Sequence, residues 1–153
     1  DRSGKFAIEP NFDDAWSFWE GLAAVKLNGK WGFIDKSGKF ITKPKFDSFG
    51  VFSEGLALVK LNGKYGFIDR SGKFAIEPEF DDAWSFSEGL AGVGLNGKYG
   101  FIDKSGEFVI KPNFDDAWHF REGLARVGLN GKYGFIDKSG EFAIEPKFDD
   151  IGY

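Results

Sequence analysis

Residues 56–69 read LALVKLNGKYGFID. Ala57, Val59 and Leu61 alternate with Leu58 and Lys60, the period of two that marks a strand with one face toward a core. Asn62-Gly63 then interrupts the pattern. Both residues tolerate a positive φ, so the pair is a strong signal for a two-residue type I′ turn. Lys64 to Asp69 is the returning strand, with Tyr65 and Phe67 on one face. This short stretch predicts an antiparallel pair and an all-β fold.

The stretch recurs along the chain. Asn-Gly pairs begin at Asn28, Asn62, Asn96 and Asn130, and prolines stand at Pro10, Pro44, Pro78, Pro112 and Pro146, each series spaced by 34 residues. The chain therefore reads as copies 1–34, 35–68, 69–102 and 103–136, followed by a half copy, 137–153, in one array. Near-identity of the copies fits recent duplication or an engineered, consensus-like array.

Each copy predicts three short strands. In the second copy Asp35 to Gly38 forms a tight turn with glycine in the left-handed region. Lys39 to Lys43 is a strand, and Pro44 ends it or confines its end to an unpaired position. The strands on either side of Asn62-Gly63 complete the unit. Between them lies a segment that elsewhere reads FDDAWSF or FDDAWHF. There Asp81 is expected to cap a single helical turn carrying Ala83, Trp84 and Phe86. The columns of Phe40, Ala57, Val59, Leu61 and Phe67 do not vary and are assigned inward. The varying columns, Ala24/Leu58/Gly92/Arg126 and Lys26/Lys60/Gly94/Gly128, are assigned outward. The invariant Gly32, Gly66, Gly100 and Gly134 require either an aromatic ring crossing them or a close approach of backbone. The alternating signs at Glu9, Lys43, Glu77, Lys111 and Glu145 fit opposite charges facing between successive copies.

Composition narrows the function. The 153 residues include 22 glycines and 19 phenylalanines but no cysteine and one histidine. Absence of cysteine excludes a disulfide scaffold, a thiolate nucleophile and Cys-ligated metal. A net charge of −4 leaves no basic excess for a phosphate backbone, so no nucleic-acid partner is expected. No run of apolar residues reaches the length of a membrane helix. No cofactor is expected. A start at Asp1 rather than methionine fits a processed form or an excised piece of a longer protein.

The recurring segment GK-[WY]-GFID, at Gly29 to Asp35, Gly63 to Asp69, Gly97 to Asp103 and Gly131 to Asp137, resembles the WG-repeat (KWG-repeat) family. The companion pattern F-x5-F-x-EGLA, as in Phe80 to Ala91, matches as well. The tryptophan for which the family is named stands only at Trp31; Tyr65, Tyr99 and Tyr133 replace it in the other copies. The resemblance implies a bacterial, often surface-associated protein whose repeats bind something. It carries over no catalytic residue.

Three-stranded units with this period fit an open array of stacked units, in which the half copy caps an exposed edge. The alternative is a small propeller-like ring. End-to-end self-association is a further expectation of an open array. Trp16, Trp84 and Trp118 share a column and form a candidate aromatic row for stacking on sugar rings or anchoring a peptide. Trp19 is assigned to shielding the first copy. His119, Arg121 and Arg126 make the last full copy more basic and are candidate ligand contacts. Asp81-Asp82, Asp115-Asp116 and Asp149-Asp150 are read as caps, with paired acid–base chemistry as the alternative. Glu20, Glu54, Glu88 and Glu122 are expected to hold their turns through backbone hydrogen bonds. Function must then lie in the columns that vary, or in the surface the copies build together. The expected function is a non-catalytic binding or scaffold module for a protein or peptide. Carbohydrate or cell-wall binding through the tryptophans is the first alternative, and a hydrolase using paired aspartates is the second.

Overall fold

The computed structural model describes residues 12, 14–15 and 21–149. The Asn-Gly turns form as their sequence dictates. Leu61 faces Lys64 across a two-residue turn in which Asn62 has φ 51° and Gly63 φ 83°. The strands on either side then lie antiparallel in continuous register, Ala57 opposite Ile68 and Val59 opposite Gly66.

Growth from these turns gives four sheets of four strands, each in simple sequential order. The first holds β1 (Asp14–Ala15), β2 (Leu22–Leu27), β3 (Lys30–Asp35) and β4 (Phe40–Phe46). The second holds β5 (Ser48–Ser53), β6 (Leu56–Leu61), β7 (Lys64–Ile68) and β8 (Phe74–Phe80). The third holds β9 (Asp82–Ala83), β10 (Ala91–Leu95), β11 (Lys98–Ile102) and β12 (Phe108–Phe114). The fourth holds β13 (Asp116–Ala117), β14 (Ala125–Leu129), β15 (Lys132–Ile136) and β16 (Phe142–Phe148). The chain is all-β and tandemly repeated, and among the described residues no sheet closes on itself into a barrel.

Among the described residues the expected strands are present, but the frame differs. A sheet begins at the FDDA segment and ends at the proline-containing strand of what reads as the next copy. Residues 137–149 therefore do not cap an edge as a half copy. Their turn and β16 complete the fourth sheet, β16 pairing with β15.

A fourth, short strand replaces the expected helical turn. The Asp81 amide donates to the Gly94 carbonyl at 2.9 Å and the Trp84 amide to the Gly92 carbonyl at 2.9 Å. Backbone groups on both sides of β9 are thus spent on the ladder to β10, and none remain to start a helix. The Asp81 carboxylate is a cap, but of the Asn-Gly turn, accepting from the Asn96 amide at 2.9 Å.

Pro44 does not end its strand. In the first sheet Trp31 faces Phe46 while Phe33 faces Thr42, so β4 bulges around Lys43 to Lys45 and resumes. The bulge drives backbone onto Gly32: a Cβ there would lie 2.6 Å from the Thr42 oxygen and 2.7 Å from the Pro44 nitrogen. This settles the invariant glycine as a close approach of backbone rather than a ring crossing.

The chain divides into two compact units, 1–78 and 79–153. In the first, Leu22, Ala24, Phe33 and Phe46 of the first sheet pack against Phe52, Ala57, Val59 and Ile68 of the second. In the second, Leu90, Phe101, Ile110 and Phe114 of the third sheet pack against Ala117, Phe120, Ala125, Val127 and Ile136 of the fourth. The opposite face of the first sheet holds Ala23, Val25 and Ile34, packed with Phe12. The Ala24 column is not uniformly outward: Ala24 and Gly92 are buried, because the second sheet packs on the first and the fourth on the third, whereas Leu58 and Arg126 are half-buried. Lys43, Glu77, Lys111 and Glu145 are all exposed.

Candidate functional site

The fourth sheet gathers the most distinctive side chains. Trp118 follows β13, and its amide donates to the Arg126 carbonyl at 3.0 Å. That bond brings Arg126 beneath the indole. The guanidinium carbon lies 3.8 Å from the Trp118 ring centroid and 5.8 Å from that of Tyr133. The two rings stand edge to face at 6.0 Å. A cation held between two aromatic rings has fixed orientation and a shared charge, a common way of fixing a recognition surface.

Arg126 also marks a face. It stands opposite Phe135, and Phe135 stands opposite Ile144, while Tyr133 stands opposite Phe148. Cross-strand partners share a face, so these side chains lie together. In the other sheets this face is covered. Thr42, Ile76 and Ile110 are 7%, 4% and 6% exposed, whereas Ile144 is 39% exposed. Phe46, Phe80 and Phe114 are buried, whereas Phe148 is 42% exposed. The sequence pattern hid this, because the columns are the same; only position in the array differs.

The remaining candidates divide. His119 and Arg121 are exposed beside the stack. Arg121 contributes its backbone to a second two-residue turn, donating to the Leu124 carbonyl at 2.8 Å and accepting from its amide at 3.1 Å. Trp84 occupies the equivalent place in the third sheet, half-buried and edge-on to Tyr99 at 5.5 Å. There Gly92 replaces the arginine, and the Tyr99 hydroxyl donates to Asp82 at 2.9 Å. Burial, and then this bond to a carboxylate, push the Tyr99 phenol up to about 12. Trp16, Trp19 and Glu20 lie outside the described residues. In the second sheet Gly50 stands in the tryptophan's place, and the neighbouring Phe49 ring packs 4.7 Å from Trp31 of the first sheet.

The carboxylates are engaged in structure. Asp115 pairs with Lys98 and accepts from the Asn130 amide at 2.8 Å, so it links the third sheet to the turn of the fourth. Asp47 does the same between Lys30 and Gly63. These lysine bonds hold both carboxyls below the usual range. Asp116 accepts from its neighbour Ala117. Glu88 accepts from Gly123 at 2.9 Å, the turn of the next sheet rather than its own. Glu54, Glu88 and Glu122 have φ of 55°, 53° and 52°, so they are themselves the first residues of type I′-like Glu-Gly turns.

A family model described as "WG containing repeat" matches residues 1–31, 31–65, 65–99, 99–133 and 133–153. No curated protein matches the chain. Among solved structures, a chain from a study of the de novo evolutionary emergence of a symmetrical protein aligns with 87% of this chain and 74% of its own. Its identity is 13% and its TM-score 0.38. A plant lectin with two metal binding sites from Cicer arietinum aligns with 94% of this chain and 92% of its own, at 15% identity and a TM-score of 0.33. Both likenesses are too distant to bear on the site.

Proposed function

The chain belongs to the family of WG-containing repeats, and from that membership we propose that it is a non-catalytic binding module for a protein or peptide. The observation that carries this reading is the Trp118–Arg126–Tyr133 stack on a face that also exposes Ile144 and Phe148. Exposed apolar side chains beside an oriented guanidinium suit a partner with apolar and acidic side chains. The stack also favours protein over sugar at this point, because the guanidinium occupies one face of the Trp118 ring. Engagement of the aspartates in caps and ion pairs supports a structural rather than a hydrolytic role for them. Reading residues 1–153 as one array belongs to the same proposal.

Trp84 supports a second reading. Its half-buried ring has a glycine, not an arginine, at the matching position, so no guanidinium competes for the exposed part of the ring. Tryptophan fluorescence separates the two. Titration with a peptide of alternating acidic and aliphatic residues is expected to shift the emission, and Trp118→Phe to remove that response. A shift with oligosaccharides that Trp84→Phe removes would replace the protein reading with the glycan one. Silence to both panels would count against the binding surface.

A further inference from the structure

Resting on the binding-module reading but on residues outside the Trp118 stack, we propose that Trp84, Tyr99 and Asp82 of the third sheet form a cation site whose occupant is an arginine side chain of a protein partner. The other sheets fill the equivalent place themselves. Tyr99 shares its column with Trp31, Tyr65 and Tyr133, and each of those rings carries a cation of its own sheet. Lys26 lies 5.8 Å from the Trp31 centroid, Lys60 5.3 Å from that of Tyr65, and the Arg126 guanidinium 5.8 Å from that of Tyr133. These cations come from two columns, and in the third sheet both columns are glycine, Gly92 and Gly94. Among the described residues no basic side chain lies over Tyr99 or Trp84.

The third sheet keeps the rest of the arrangement. Trp84 stands edge-on to Tyr99 with centroids 5.5 Å apart, as Trp118 does to Tyr133 at 6.0 Å. The same backbone bond sets both indoles, the Trp84 amide donating to the Gly92 carbonyl as the Trp118 amide donates to that of Arg126. The Tyr99 ring settles over Gly94, where a Cβ would lie 2.9 Å from it, and its hydroxyl donates to Asp82 at 2.9 Å. Asp82 also accepts from the Ala83 amide at 3.0 Å, and among the described residues no lysine or arginine pairs with it. Asp116 of the fourth sheet brings a second negative charge: after burial and Asp82, it too raises the Tyr99 phenol. Trp84, Tyr99, Asp82 and Asp116 are all half-buried, so each keeps part of its surface in water. Every one of them lies within the compact unit 79–153.

Two aromatic rings and two carboxylates without a cation make a negative, partly desolvated place. A cation there offsets charge that water screens poorly and faces the electron-rich rings. Arginine fits better than lysine for two reasons. The chain's own example is a guanidinium 3.8 Å from the Trp118 centroid, closer than Lys26 or Lys60 comes to its ring. A planar guanidinium also stacks on an indole while its N–H fork reaches a carboxylate, which a compact ammonium does not do. A sugar would leave both carboxylate charges uncompensated. The net charge of −4 adds a weak attraction for a basic partner.

NMR of the full chain tests the proposal through the Trp84 indole N–H, assigned by its loss in Trp84→Phe. Titration with a short glycine–serine peptide carrying one arginine is expected to shift that resonance saturably. The same peptide with citrulline, which keeps the shape and loses the charge, is expected to bind about ten-fold more weakly. Asp82→Asn is expected to weaken the arginine peptide by a similar factor. Gly92→Arg, which gives the third sheet the cation of the fourth, is expected to abolish the response. A Cβ at Gly92 meets only the Phe101 ring, at 3.5 Å, an ordinary contact. Thermal melts show whether each variant folds, and Asp82→Asn decides the matter if Gly92→Arg does not. Absence of a saturable shift with the arginine peptide overturns the proposal. So does equal affinity for the citrulline peptide, or unchanged affinity in Asp82→Asn. A shift with oligosaccharides but not with the arginine peptide overturns it in favour of a glycan. The acidic-peptide response of Trp118 involves other residues, so the arginine site can fail while that binding surface stands.

Discussion

Glu122 has φ of 52° in an exposed turn. Left-handed backbone costs an L-residue about 1–2 kcal/mol, and asparagine tolerates it best among residues with a side chain. The Asn-Gly turns show the same geometry with asparagine in place, Asn130 at 52°. Glu122→Asn is therefore expected to stabilise the protein by about 1 kcal/mol in urea unfolding. Gly66 presents the opposite case. A Cβ there would lie 2.6 Å from the Ile76 oxygen and 2.7 Å from the Pro78 nitrogen, both backbone atoms. Gly66→Ala is expected to cost about 3 kcal/mol, as an overpacked site does. Tyr99 gives a titration. Its phenol, raised to about 12, contributes stability that is complete below the unfolded value near 10 and is lost as pH rises through the folded one. Phenolate absorbance is expected to show Tyr99 titrating late, and Asp82→Asn to move that titration down. The need for glycine at position 66 is legible in the sequence as a requirement. Its cause is not, because strand pattern does not announce a bulge.

At the level of the element, the turn between the third and fourth strands is a carboxylate-centred device. Asp103 accepts from the Ser105 amide at 2.9 Å, the Ser105 hydroxyl at 2.6 Å and the Glu107 amide at 3.2 Å. The Ser105 hydroxyl is the largest influence holding this carboxyl below the usual range, and Asp35, Asp69 and Asp137 are held down by their own serines. A depressed carboxyl contributes stability above its unfolded value, and that contribution is lost as pH falls through the folded value. The melting temperature is expected to be level down to about pH 4 and to fall steeply below it. Ser105→Ala is expected to raise the Asp103 carboxyl toward the ordinary value, readable by NMR titration. The existence of this turn is plain from its glycine, and Gly106 has φ 89°. The short first strands of the third and fourth sheets read instead as helix, since FDDAW offers a good cap but the neighbouring strand claims its amides first. The Glu-Gly turns are legible from their glycine, but not that glutamate itself takes a left-handed position in them. At the fourth sheet, removing the cation from between its rings with Arg126→Ala is expected to cost about 1 kcal/mol and to alter Trp118 emission.

On the scale of the whole molecule, repetition makes position the informative variable. Ile110 and Ile144 share a column and a chemistry, yet one is buried and the other 39% exposed. Sequence reading places the interest in columns that vary, and two of its residues, Arg126 and Trp118, stack on one another. It misses Ile144 and Phe148 because they do not vary. The tryptophan row is only partly recovered, since Gly50 interrupts it in the second sheet and Trp118 is stacked by arginine. Binding on the outward face of the fourth sheet is the central claim. Amide hydrogen exchange without and with the acidic–aliphatic peptide tests it most directly. Slower exchange on adding the peptide is predicted for Phe142–Phe148, with little change at Val109. Unchanged exchange in Phe142–Phe148 with the peptide present would contradict it.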